Sequence, residues 1–84
     1  MEWKLKYKKE AYQFLIKNHS LDRVEKTLSG FIKGEKKADI KKLYGKLSGH
    51  YRLRLGKMRV ILKVDFNLRT IYIKKADFRG DIYK

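Results

Sequence analysis

Three arginines stand within one short stretch of the chain: Arg52, Arg54 and Arg59. Arg52 and Arg54 alternate with Tyr51, Leu53 and Leu55, a two-residue period that sends the guanidinium groups to one face of a strand and the apolar groups to the other. Gly56-Lys57 supplies a tight hairpin turn, and Arg59 follows it, so Arg59 returns opposite Arg54 or Arg52. Like charges opposed in a sheet repel unless an anion lies between them. Guanidinium is planar, permanently charged and able to bind an oxyanion with two parallel hydrogen bonds. The chemistry these residues can do is therefore to hold a phosphate. The plainer alternative is that they are solvated, or paired with Asp65, Asp77 or Asp81.

Other chemistries are excluded by composition. The chain has no cysteine and only His19 and His50, so disulfides, thiolate metal sites and a zinc centre are not expected, and no metal or cofactor is implied. His50 reads as a loop histidine at the start of the arginine strand, and His19 as part of a turn. Tyr12, Tyr44, Tyr51 and Tyr72 read as core or edge packing, and Trp3 as packing against helices or a partner.

The charge has the sign that a phosphate ligand needs. Lys and Arg number 23 against 9 Asp and Glu, a net of +14. Residues 41–84 hold thirteen of the bases and three of the acids, a net of +10, leaving +4 on residues 1–40. Such a field attracts polyanions and speeds encounter with them; a lysine-rich solvated surface is the competing explanation. Hydrophobic residues make up 43%, enough for a core. A chain of 84 residues is read as a single domain, 1–84, of modest stability. No apolar run is long enough to span a membrane, and residues 1–7 lack the apolar core of a signal peptide, so the expected location is cytoplasmic.

These arginines need a sheet with one face covered. Trp3, Leu5 and Tyr7 alternate with lysines and predict a first strand. Ala11, Phe14 and Leu15 fall on one helical face. Ser20 is placed to cap a second helix, whose stripe runs through Leu21, Val24, Leu28, Phe31 and Ile32 to Gly34. Residues 35–49 read as a loop with one helical turn, anchored by Ile40, Leu43 and Leu47. Three strands follow: the arginine strand, Met58 to Val64, and Thr70 to Lys75. The expected fold is α+β, in the order β-α-α-β-β-β, with a helical hairpin packed on one face of a small antiparallel-rich sheet.

The run Leu43-Tyr44-Gly45-Lys46-Leu47-Ser48-Gly49-His50-Tyr51-Arg52-Leu53-Arg54-Leu55-Gly56-Lys57-Met58-Arg59-Val60 resembles the RelE/ParE toxin superfamily. The shared pattern is a leucine and glycine run, Tyr-Arg-x-Arg-x-Gly, then Arg-Val. Residues 75–84, with Tyr83 near the end, look like the family's closing segment, and the resemblance extends over essentially the whole chain.

The resemblance implies a type II toxin of the RelE kind: a ribosome-dependent endoribonuclease that cuts mRNA in the ribosomal A site and is held inactive by a RelB-like antitoxin. Carried over by position, the catalytic set is Arg52, Arg54, Arg59 and Tyr83. Arg59 would stabilise phosphate charge, Arg52 and Arg54 would position the phosphate, and Tyr83 would stack on a base or orient the sugar. Lys41, Lys42, Lys46, Lys57 and Arg79 are the accompanying RNA contacts. Where some members carry a histidine or arginine before the last tyrosine, this chain has Asp77 and Phe78; where others carry a glutamate before the second strand, it has Lys41-Lys42. An arginine stays protonated and is a poor base, so the proton acceptor is left open among Asp81, Lys41, Lys42 and a ribosomal RNA group. Two other readings remain: a ParE-like gyrase inhibitor, which would lack the basic set, and a non-catalytic basic RNA-binding module or small domain held by an acidic partner.

Overall fold

A computed structural model describes residues 3–34, 39–47 and 49–78. Among them the chain runs β1 (Lys4–Tyr7), α1 (Lys9–Lys17), α2 (Leu21–Ile32), β2 (Asp39–Lys42), a 3₁₀ turn (Gly45–Leu47), β3 (His50–Leu55), β4 (Met58–Asp65) and β5 (Thr70–Phe78). The strands form one sheet in the order β1-β5-β4-β3-β2. β1 joins β5 in parallel, and the other pairings are antiparallel. The α+β fold with a helical hairpin on one sheet face is as expected.

The core follows from the two periods. Ala11 and Leu15 of α1, and Val24 and Leu28 of α2, lie four residues apart on their helices and are fully or almost fully buried. They meet Leu53, Met58, Val60, Leu62, Ile71 and Ile73 from the sheet. Tyr7 adds a polar tie, donating its hydroxyl hydrogen to Glu25 Oε2 of α2 at 2.5 Å.

Three local readings are corrected. The loop expected between residues 35 and 49 contains a strand, β2, which pairs with the full length of Asp39–Lys42 against Arg54–Tyr51. Its four residues hold one apolar side chain, Ile40, too few to show a period; pairing with β3 makes it a strand. Ser20 stands at the N-cap of α2, but its side chain makes no cap bond: the hydroxyl donates to the Asn18 carbonyl, 3.0 Å away. Tyr44, expected to pack, is largely exposed.

The hairpin between β3 and β4 has a two-residue loop, since Leu55 pairs with Met58. Gly56 takes φ +59° at its first central position, as a II′ turn requires. One irregularity matters for the site. Ile61 pairs with Lys75 while Leu62 pairs with Ile73, so β5 carries an extra residue, Lys74. Such a bulge lets two successive side chains oppose one. It keeps Ala76 on the core side, although Ile73 is also there, three residues earlier.

Candidate nucleic-acid interface

The face of the sheet opposite the helices carries the charge. Tyr51, Leu53 and Leu55 of β3 pack toward the core, so Arg52 and Arg54 project from the open face. Cross-strand partners share a face, and the register therefore sorts this surface into rows about 7 Å apart. One row reads Asp39, Arg54, Arg59, Asp77. The next reads Lys41, Arg52, Ile61, Lys75. A third reads His50, Lys63, Tyr72, Lys6.

All three predicted arginines are on one surface, but they are not equivalent. Arg54 and Arg59 are direct cross-strand partners. Opposed residues have Cβ atoms about 4.5–5.5 Å apart, within reach of a single phosphate. Two carboxylates stand in the same row, yet neither takes these guanidinium groups. Asp39 turns diagonally to Arg52, with Oδ1 3.0 Å from its Nη2. Asp77 Oδ1 accepts the Phe78 amide hydrogen at 2.8 Å. Among the described residues Arg54 and Arg59 have no carboxylate partner.

Arg52 is differently placed. Its side chain is only 11% exposed, against 47% for Asp39, and its buried Nε finds no hydrogen-bond partner among the described residues. The sequence offered Asp65, Asp77 and Asp81 as neutralising partners; the carboxylate that does so is Asp39, brought there by the strand that the sequence did not reveal. Beside Arg52 in its row, Ile61 is buried outside the core cluster, flanked by two side chains whose methylene stems can cover apolar surface.

The predicted RNA-contact lysines divide. Lys41 lies beside Arg52 on the open face, whereas Lys42 pairs with Tyr51 on the helix side of the same edge. Lys57 is exposed in the hairpin turn next to the Arg54–Arg59 row, and Lys46 is exposed in the 3₁₀ turn. Arg79, Asp81 and Tyr83 lie outside the described residues. Among the described residues no cluster of His, Asp or Glu is able to hold a metal ion, and no helix is long and apolar enough to cross a membrane.

The sequence missed the third row. Tyr72 was expected to pack, but it stands on the open face beneath Lys6 and Lys74, whose Nζ atoms are 6.0 and 5.8 Å from its ring centroid. The alternation of Lys4 and Lys6 was visible in the sequence. What was not visible is that β1 runs alongside β5, because that pairing spans most of the chain.

Neither a protein-family model nor a curated protein sequence matches the chain. Solved structures do. The archaeal RelE–RelB complex from Pyrococcus horikoshii contains a chain 31% identical to this one, with a TM-score of 0.69, over 96% of this chain and 99% of that one. This chain belongs to the RelE toxin superfamily. The RelBE2 toxin–antitoxin complex from Mycobacterium tuberculosis gives 25% identity and a TM-score of 0.69, over 94% of this chain and 93% of that one. The YoeB dimer from Staphylococcus aureus has 17% identity and a TM-score of 0.74 over 95% of this chain and 100% of that one, a likeness of fold alone. Within this RelE-type scaffold, the paired arginines stand on the two strands between β2 and β5, at the hairpin end of the open face.

Proposed function

We propose that this RelE-type chain is the toxin of a type II toxin–antitoxin pair and acts as a ribosome-dependent endoribonuclease on mRNA in the A site. The observation that carries the proposal is the Arg54–Arg59 pair: two guanidinium groups opposed across strands, on an open and basic face, without carboxylate partners among the described residues. Opposed cations are unfavourable in a sheet, and a bound phosphate diester turns that repulsion into two charge-assisted contacts.

The reaction is transesterification. The ribose 2′-oxygen attacks its neighbouring phosphorus, the bond from phosphorus to the 5′-oxygen of the next nucleotide breaks, and a 2′,3′-cyclic phosphate forms. A proton leaves the 2′-hydroxyl and one is delivered to the 5′-oxygen. Arg59 and Arg54 stabilise the charge that accumulates on the phosphoryl oxygens. Arg52, paired with Asp39 in the adjoining row, ties β2 to β3 beside this pair. Tyr83 stacks on a base or orients the sugar. No arginine serves as the proton acceptor, because each stays charged at any working pH. A ribosomal RNA group in that role gives an enzyme inert on naked RNA and active on ribosomes.

The partner is an antitoxin of the RelB kind, with an acidic segment laid over the open face. The P. horikoshii and M. tuberculosis relatives were solved as toxin–antitoxin complexes, and the +10 carried by residues 41–84 demands such a complement.

The test is primer extension on translating ribosomes. Wild-type protein is expected to yield breaks within A-site codons, and Arg59→Gln to lose them. Intact mRNA accompanied by blocked supercoiling of DNA by gyrase would overturn the proposal in favour of a ParE-like activity.

A further inference from the structure

The row that joins Tyr72 to Lys6 and Lys63, with Lys74 of the bulge beside it, has no part in the phosphate site described above. Tyr72 is half-buried on the face away from the core and is not part of the core cluster. The ring is bracketed by Lys6 of β1 and Lys74 of the β5 bulge. Lys63 is its cross-strand partner on β4. None of the four positions in this row, His50, Lys63, Tyr72 and Lys6, is a carboxylate. The surface is also indented here: a depression at the end of β1 is lined by Lys6, Tyr7, Lys8, Tyr72, Ile73 and Lys74.

We infer that Tyr72 is a base-stacking platform for single-stranded RNA, with Lys6, Lys63 and Lys74 taking the phosphates on either side of the stacked base. This rests on the RNA-directed reading of the arginine face and adds a second subsite to it. Four residues of strand separate Lys63 from Arg59, so the two subsites are about 13 Å apart. That gap is crossed by a strand held at one end by the arginines and at the other by the ring.

Lysines gathered around one point repel each other, and the ring face offsets only part of that repulsion. An aromatic ring among flexible ammonium groups is the combination that binds single strands without reading sequence, because every base has a face to stack and phosphates on both sides. The bulge contributes directly. It places Lys74 and Lys75 in succession opposite Ile61, adding a cation where a regular strand has none to spare. When a base arrives, the four-carbon stems of Lys6 and Lys74 swing from the ring to the flanking phosphates.

The experiment is binding rather than cleavage. Fluorescence anisotropy is measured with labelled single-stranded RNAs of about three and about ten nucleotides, and with an acidic peptide as a third probe. Tyr72→Ala is expected to weaken the longer RNA about tenfold and to leave the shorter one unchanged, while Tyr72→Phe binds as wild type. An abasic scan of the longer RNA should find one position whose base matters to wild type and not to Tyr72→Ala. Lys63→Gln and Lys74→Gln, both at exposed positions, should reduce the salt dependence of binding without removing that abasic signal.

Equal affinity of wild type and a folded Tyr72→Ala for the longer RNA overturns the inference. So does a flat abasic scan in wild type, or an equal loss of affinity for the acidic peptide, which would mark the surface as a protein dock. None of these outcomes bears on cleavage by the arginine pair. Conversely, a Tyr72-dependent affinity in a protein that cuts no ribosomal mRNA would sustain this subsite and overturn the nuclease proposal.

Discussion

Arg54 and Arg59 illustrate how a functional pair announces itself energetically. Placed opposite each other in a β-ladder, they oppose folding and serve binding. Arg59→Gln keeps most of the stem and removes the charge. It should raise stability by about 0.2–1 kcal/mol, the scale of a cross-strand pair, read as a higher urea midpoint. The same substitution should lower cleavage on ribosomes by about 10²–10³-fold, as loss of one charge-stabilising donor does elsewhere. A variant that loses stability and activity together would mean that Arg59 is structural. Arg52 predicts the reverse pattern. It is mostly buried and paired with Asp39, so its removal leaves Asp39 without a partner and brings no gain in stability.

Tyr7 carries a pH signature at the same scale. Burial pushes its phenol above the ordinary tyrosine value, and the hydrogen bond to Glu25 and that carboxylate's charge push it further. A group whose folded value is raised lends its stability in full below the unfolded value, about 10, and loses it as pH climbs beyond. Wild type should therefore be more stable than Tyr7→Phe at neutral pH, and the difference should shrink above pH 10 in urea melts. A difference that is constant or widens with pH would show that the Tyr7–Glu25 contact contributes nothing to folding.

Among the elements, the β5 bulge is the feature with the most to explain. Because two residues of β5 face one of β4 there, deleting Lys74 regularises the ladder. Ala76 and Phe78 then keep their side of the sheet. Deleting Ile73 instead moves Lys74 into the fully buried position opposite Tyr7 and Leu62. The deletion of Lys74 should give a folded protein with cooperative unfolding, whereas deletion of Ile73 should abolish the transition, since it buries an unpaired lysine among apolar side chains. Circular dichroism through a thermal melt distinguishes the two. If both unfold, the extra residue is needed for the strand's twist rather than tolerated by it.

For the whole molecule the controlling quantity is net charge, +14 on 84 residues. Affinity for single-stranded RNA should fall with salt in proportion to the phosphates engaged. About five contacts give a slope of about −3.5 in log affinity against log salt, roughly a hundredfold between 50 and 200 mM. Substituting Arg54 and Arg59 together by glutamine should flatten the slope by about 1.4. A salt-independent affinity would mean that the basic face is not where the RNA lies. An acidic partner bound over that face should raise the melting temperature with its concentration, by mass action.

The sequence by itself determined whatever depends on neighbours close in the chain. The alternation of Tyr51, Leu53 and Leu55 with Arg52 and Arg54 fixed which groups face the helices. The glycine at position 56 marked a tight hairpin that returns Arg59 opposite Arg54 or Arg52, and the register chose Arg54. The spacing of Ala11, Leu15, Val24 and Leu28 fixed two helices and the side they bury. The tertiary structure alone decided what depends on pairing across long separations. Four residues with one apolar side chain became a strand because β3 offered an unpaired edge, and that strand brought Asp39 to Arg52. β1 was laid beside β5, so that Lys6 met Tyr72. Local periodicity reports which way a side chain points; only strand order and register report what it meets.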